Sequence, residues 1–202
     1  LHFFIGRLPS LTFDDLRQRL LGLPISAPLS RHAMAAISQA IAACCSTATS
    51  QQASASVEKF ASNLITGGGS CVFSLLCLGE IGRKLDLSAN AKLMPILVRC
   101  FDSPDEETRG AASFAVGNVA AGNLDAFVPH LLSQISGAST HDYLMLHALK
   151  EMIGSGGPAL APHAPQVCEH PNVQCRGEKL PSSVTISPPH RHRTHHHCNA
   201  LS

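Results

Sequence analysis

Aromatic residues are scarce in this chain of 202 residues: it has no Trp, one Tyr and eight Phe. An all-β core leans on aromatic and β-branched side chains, so that scarcity argues against one. Ala, Leu and Ile carry most of the apolar content instead, which suits helix packed on helix. Charge of one sign is missing as well. With a net charge of +1 the chain has neither the basic footprint of a nucleic-acid binder nor a polybasic membrane signal. No apolar run approaches the ~20 residues that span a bilayer. Leu1-His2-Phe3-Phe4-Ile5 lacks a basic n-region and soon meets Arg7 and Pro9, so it does not read as a secretory signal. The chain opens without Met and in mid-pattern, which reads as a fragment. Of the eight cysteines, Cys44, Cys45, Cys71, Cys77 and Cys100 sit among Ala, Leu and Ile, where a reduced thiol acts as a small hydrophobe.

What is present is a repeat. Leu93-Met94-Pro95-Ile96-Leu97-Val98 is echoed by Phe127-Val128-Pro129-His130-Leu131-Leu132, with the prolines 34 residues apart. Leu78-Gly79-Glu80-Ile81 is echoed by Val116-Gly117-Asn118-Val119, with the glycines 38 apart. A period of that size marks a stack of helix pairs, and such stacks bind other macromolecules along an extended surface. Apolar residues at three- and four-residue spacing predict eight helices, over 12–22, 30–45, 57–65, 72–85, 91–101, 104–121, 124–136 and 140–153. Residues 46–56, small and polar, read as a loop. The run 72–85 is apolar almost all round, as a helix buried on most sides would be. Pro95 is tolerated if it lies in a first helical turn. Ser103-Pro104-Asp105-Glu106 reads as a capping box with Ser103 as the cap. Paired in order, the helices make an all-α fold, an α-solenoid of about four helix pairs over 1–153. Seven of the 13 prolines and seven of the 12 histidines lie after Gly154. Residues 154–202 therefore read as a Pro/His-rich disordered tail.

Asp102, Arg109 and Ala112 around the turn, with a proline in the outer helix, resemble HEAT repeats. Three stretches narrow the resemblance to the cullin-associated, neddylation-dissociated family. They are Ser74 to Ser88, Ala111 to Leu124 and Tyr143 to Ile153, and their order and separations match too. The likeness is strong over 72–153 and weaker over 8–71, and it places the chain in the later half of a long solenoid. It implies a non-enzymatic scaffold, cytoplasmic and nuclear, that grips an unmodified cullin–RING core and promotes exchange of substrate receptors. It implies no nucleic acid, membrane, small-molecule substrate or cofactor, and it maps no contact residue onto this chain. A HEAT-repeat adaptor for another client, of nuclear-transport or phosphatase-scaffold type, is the alternative. The family continues with further helix pairs where this chain turns to Pro and His. A gene-model error would produce such an ending, and an alternative isoform is a second source.

Cys168, His170 and Cys175, with His195-His196-His197-Cys198, offer metal donors, but not at the spacing of a structural zinc site. Gly67-Gly68-Gly69-Ser70 lacks the Lys-Ser/Thr of a phosphate loop and reads as a linker. Cys77 and His147 are the pair to try for nucleophilic catalysis, yet both lie in apolar helical runs. Asp105, Glu106 and Glu107 suit the positive end of a helix better than acid–base work. Arg109 is expected to bond to Asp102 or its equivalent rather than to a partner. No catalytic, cofactor-binding or metal residue is assigned.

Overall fold

A computed structural model describes residues 30–67 and 70–173, and Arg19 besides. Seven helices form its body: α1 Arg31–Thr47, α2 Ser50–Thr66, α3 Cys71–Gly82, α4 Leu93–Arg99, α5 Glu106–Ala121, α6 Leu124–Gln134 and α7 Asp142–Gly156. A short 3-10 turn, Cys100–Asp102, follows α4. Among the described residues there is no strand, and no helix is long and apolar enough to cross a membrane. The expected helix over 12–22 lies outside the described residues but for Arg19, as does the middle of the glycine linker.

The helices alternate between two layers. In the inner layer α3 packs between α1 and α5, and α5 between α3 and α7. In the outer layer α2 lies against α3 and α4, and α6 lies against α5 and α7. This is the α-solenoid that the repeat predicts. Burial follows the layers. Ten of the twelve residues of α3 are buried, as its all-round apolar sequence requires. In the outer helices one face goes in: Leu93, Met94 and Leu97 of α4, and Leu124, Val128, Leu131 and Leu132 of α6. With Pro95 third in α4, the missing N–H falls in the first turn and costs no ladder bond.

Three expectations need correction. First, 46–56 is not a loop but mostly the first half of α2. Its start is capped by Thr49, whose Oγ1 accepts from Gln52 N at 3.3 Å while Gln52 Oε1 accepts from Thr49 N at 3.0 Å. Ala53, Ser56 and Val57 then face inward. Small side chains carry little hydrophobic signal, so the periodicity was weak. The Thr49-x-x-Gln52 pattern was the cue. Second, α5 begins at Glu106, and its cap is Asp105 rather than Ser103. Asp105 accepts from Thr108 N at 2.9 Å and Glu107 N at 3.4 Å, while Ser103 Oγ accepts from Asp105 N at 3.2 Å. Pro104 therefore precedes the helix instead of opening it.

Third, structure does not stop at Gly154. Helix α7 runs to Gly156, a 3-10 segment follows over Gly157–His163, and α8 spans Ala164–Cys168. The 3-10 segment packs against α6 and α7, and Leu160, Val167 and Val173 are buried in the common core. Prolines disguised this stretch. Pro158 and Pro165 stand at the start of their elements, where proline is favoured. Leu160, Val167 and Val173 are its apolar anchors. The rest of the expected tail, 174–202, lies outside the described residues.

Candidate protein-interaction surface

The glycines of the sequence echo sit where inner helices cross. A Cβ on Gly79 of α3 would lie 2.7 Å from the ring of Phe114 and 3.1 Å from the Cα of Ala115, both on α5. A Cβ on Gly117 of α5 would overlap the Ala148 carbonyl of α7. The echo thus marks the same close approach in successive repeats.

Polar side chains then tie each repeat to the next. Asn123 donates to Asp86 Oδ2 at 2.9 Å and to Ser88 Oγ at 3.2 Å. His141 Nε2 lies 2.8 Å from Asp102 Oδ1, and the His141 ring stands edge-on to Phe101. Ser155 donates to Asn118 Oδ1 at 2.8 Å. Two more ties come from beyond Gly154: His163 Nε2 lies 3.2 Å from Asp125 Oδ1, and Asn172 donates to the Ile135 carbonyl at 3.2 Å. Each joins residues 35–39 apart, which is one repeat. The turn after α3 is polarised accordingly. The Ser88 side chain and backbone, then Asn123, hold Asp86 below the usual carboxylate range.

Arg109 is not the partner of Asp102. Its Nη1 donates to the carbonyls of Ser103 (2.8 Å) and Pro104 (3.0 Å), pinning the turn before α5, while Asp102 is met by His141. The role is structural, as expected, but the partners are backbone. Two side chains at one turn can satisfy different groups, and sequence spacing alone does not choose between them.

The Asp102–His141 tie and Arg109 line an open groove of about 920 Å³ between α5 and α7. Phe114, Tyr143 and His147 give it an aromatic floor, with the Tyr143 and His147 rings 4.6 Å apart between centroids. Tyr143 is 58% exposed, one of two large apolar side chains among the described residues to stand out so far. Glu106, Glu107 and Glu151 supply acidic edges, and Arg31 reaches from α1 to within 3.8 Å of Glu107. That ion pair is exposed at both ends, so it contributes about 0–1 kcal/mol. No sequence spacing marks the groove. Its residues come from three helices, the 3-10 turn and the connecting loops, and only the stacking of α5 on α7 brings Phe114 beside Tyr143 and His147.

Other candidates separate. Cys77 is fully buried in α3, whereas His147 lines the groove on α7, with α5 between them in the layer. Burial pushes the Cys77 thiol far up, and the nearby Cys45 and Glu80 add to it, so it stays protonated. Asp105, Glu106 and Glu107 form the first turn of α5 as expected, with Asp105 spent on capping. The Thr108 side chain and backbone hold Asp105 below the usual carboxylate range. Among the described residues no three His, Cys, Asp or Glu side chains converge on one point. Cys168 is exposed in α8, and Cys175 and the His195–Cys198 cluster lie outside the described residues.

No protein-family model matches the chain. Several curated proteins do. Over 134 residues, 64% of this chain, it is 39% identical to cullin-associated NEDD8-dissociated protein 1 of Arabidopsis thaliana. Over 130 residues, 59% of the chain, it is 35% identical to cullin-associated NEDD8-dissociated protein 2 of Mus musculus. The chain is a homologue of one segment of the cullin-associated NEDD8-dissociated proteins. It spans 11% and 10% of the length of those two relatives. An Emericella nidulans relative, 37% identical over 81 residues, 40% of this chain and 8% of that protein, is named as the C-terminal part of such a protein. That agrees with a place in the later half of the solenoid.

Proposed function

We propose that this segment is a non-catalytic part of a scaffold that binds an unmodified cullin–RING core and promotes exchange of substrate receptors. The observation that carries the reading is the groove between α5 and α7, an open, aromatic-floored surface on a helical stack, in a chain homologous to proteins named for cullin association. Stacked repeats offer a partner one continuous face, and a segment this short adds its share to a long avid contact. In this reading the partner is protein. No nucleic acid, membrane, small-molecule substrate or cofactor takes part, and the scaffold works in cytoplasm and nucleus.

A chimera tests it. The matching segment of the Arabidopsis relative is replaced by residues 30–173, and recovery of unmodified cullin–RING core is measured. The chimera should recover the core, and Tyr143→Ala in it should weaken recovery several-fold without unfolding the stack, since an exposed side chain costs the fold little. A folded chimera that recovers no cullin, when the parent does, overturns the proposal. A chimera that binds cullin but leaves the rate of receptor exchange unchanged overturns the exchange role.

A further inference from the structure

Two carboxylates of the groove between α5 and α7 are left uncompensated. Of the groove's arginines, Arg31 lies against Glu107, and Arg109 donates to the Ser103 and Pro104 carbonyls. Asp102 is met by His141. Glu106 and Glu151 also line the groove, and neither has an ion pair among the described residues. Glu106 is exposed in the first turn of α5, and Glu151 is half-buried on α7. The contacts Asp102–His141 and Asn118–Ser155 run in the same order along both helices, so α5 and α7 lie parallel. Glu106, Gly110 and Phe114 stand at four-residue spacing on one, and Tyr143, His147 and Glu151 on the other. Residues so spaced share a helix face. The groove is thus walled by two parallel rows, with a carboxylate towards each end and aromatic rings between.

Gly110 is a separate observation. It lies inside α5 and lines the groove, and a Cβ there would meet no atom within 4 Å. Glycine inside a helix weakens it. At Gly79 and Gly117 the crossing of a neighbouring helix requires the missing side chain, and at Gly110 nothing among the described residues does. The bare backbone there is open to a chain that enters the groove.

We propose that this groove takes an extended, arginine-bearing segment of a protein partner, with its backbone laid over Gly110 and its guanidinium groups on the aromatic rings and the two free carboxylates. Arginine suits the site better than lysine, because its planar fork stacks on rings and pairs with carboxylates at once. The same carboxylates repel a phosphate-bearing partner. Each row spans eight residues, about 12 Å of helix. An extended chain covers that length in about four residues, so two arginines about four positions apart reach both ends. The proposal rests on the reading of the groove as a protein contact, and it can fail without that reading failing.

The test uses the full chain, labelled for NMR, and two capped glycine–serine peptides. One carries two arginines four positions apart, and its twin has norleucine at both. At low salt the diarginine peptide should shift the signals of Gly110, Tyr143, His147 and Glu151, and the norleucine peptide should not. Changing both Glu106→Gln and Glu151→Gln should weaken the diarginine peptide about fivefold or more. Gly110→Ala should raise the melting temperature by a few degrees, yet weaken the peptide several-fold. The proposal is overturned if the two peptides act alike, if neither shifts the groove, or if Gly110→Ala binds as the wild type does. The chimera separates the two readings. If it recovers the cullin–RING core equally well with both glutamates changed, the arginine proposal falls and the cullin reading stands. If it recovers no core while the full chain binds the diarginine peptide, the cullin reading falls and the arginine proposal stands.

Discussion

The inner and outer layers of this stack hold together by opposite means. Inner helices α3, α5 and α7 meet through small residues: Gly79 against Ala115, Gly117 against Ala148, with Ala111, Ala112 and Ala120 buried nearby. Outer helices α2, α4 and α6 bury large side chains, Phe60 and Leu64, Leu97 and Leu93, Leu131 and Val128, mostly against the inner layer rather than each other. Small side chains let helix backbones approach closely, and large ones fill the space between more distant axes. The open groove between α5 and α7 lies among residues of that inner layer.

The comparison makes the outer layer sensitive to loss of volume and the inner layer to its gain. Leu97 is fully buried in α4, so Leu97→Ala should cost about 2–5 kcal/mol by leaving a cavity. Leu160 sharpens this. If 157–168 belongs to the outer layer, Leu160→Ala should fall in the same range of about 2–5 kcal/mol in urea unfolding. A change near zero would return that segment to the status of an appendage. On the inner side, Gly117→Ala brings a methyl onto the backbone carbonyl of Ala148, which cannot rotate away. Overpacking costs about 1–3 kcal/mol, more than the ~1 kcal/mol of helix propensity that Ala restores. Gly79→Ala meets the Phe114 ring, which lies at the groove edge and can turn, so its loss should be smaller. Equal losses at the two glycines would break the argument from backbone contact.

The smallest effect concerns pH. Asp105 caps inner helix α5 and its folded pKa is depressed, so its contribution is present above the ordinary carboxylate pKa and is lost as pH falls through the folded value. Asp105→Ala should lower the melting temperature at pH 7, and the gap from wild type should close in acid. A gap that persists at low pH, followed by circular dichroism, would show that the cap acts through packing rather than charge.

Helix positions were legible where apolar residues are large. The runs 72–85, 91–101 and 124–136 gave clear periodicity and correspond to α3, α4 and α6 within a few residues at their ends. Reading failed where side chains are small or where proline intervenes. Ala53, Ser56 and Ala61 bury a face of α2 with almost no hydrophobic signal. Leu160, Val167 and Val173 dock a proline-broken stretch that has no helical period. The groove was invisible for a different reason. Phe114 and Tyr143 are 29 positions apart, and nothing local ties them together.

The sequence by itself determined an all-α repeat stack and its kinship, because periodic apolar spacing and echoed glycines are local and recur. Only the tertiary structure decided which side chains answer which. Asp102 meets His141 rather than Arg109, and Asp125 meets His163 beyond the apparent end of the repeat. Such pairings depend on how one helix pair rotates onto the next. That rotation is set by the summed packing of both layers, not by any single spacing along the chain.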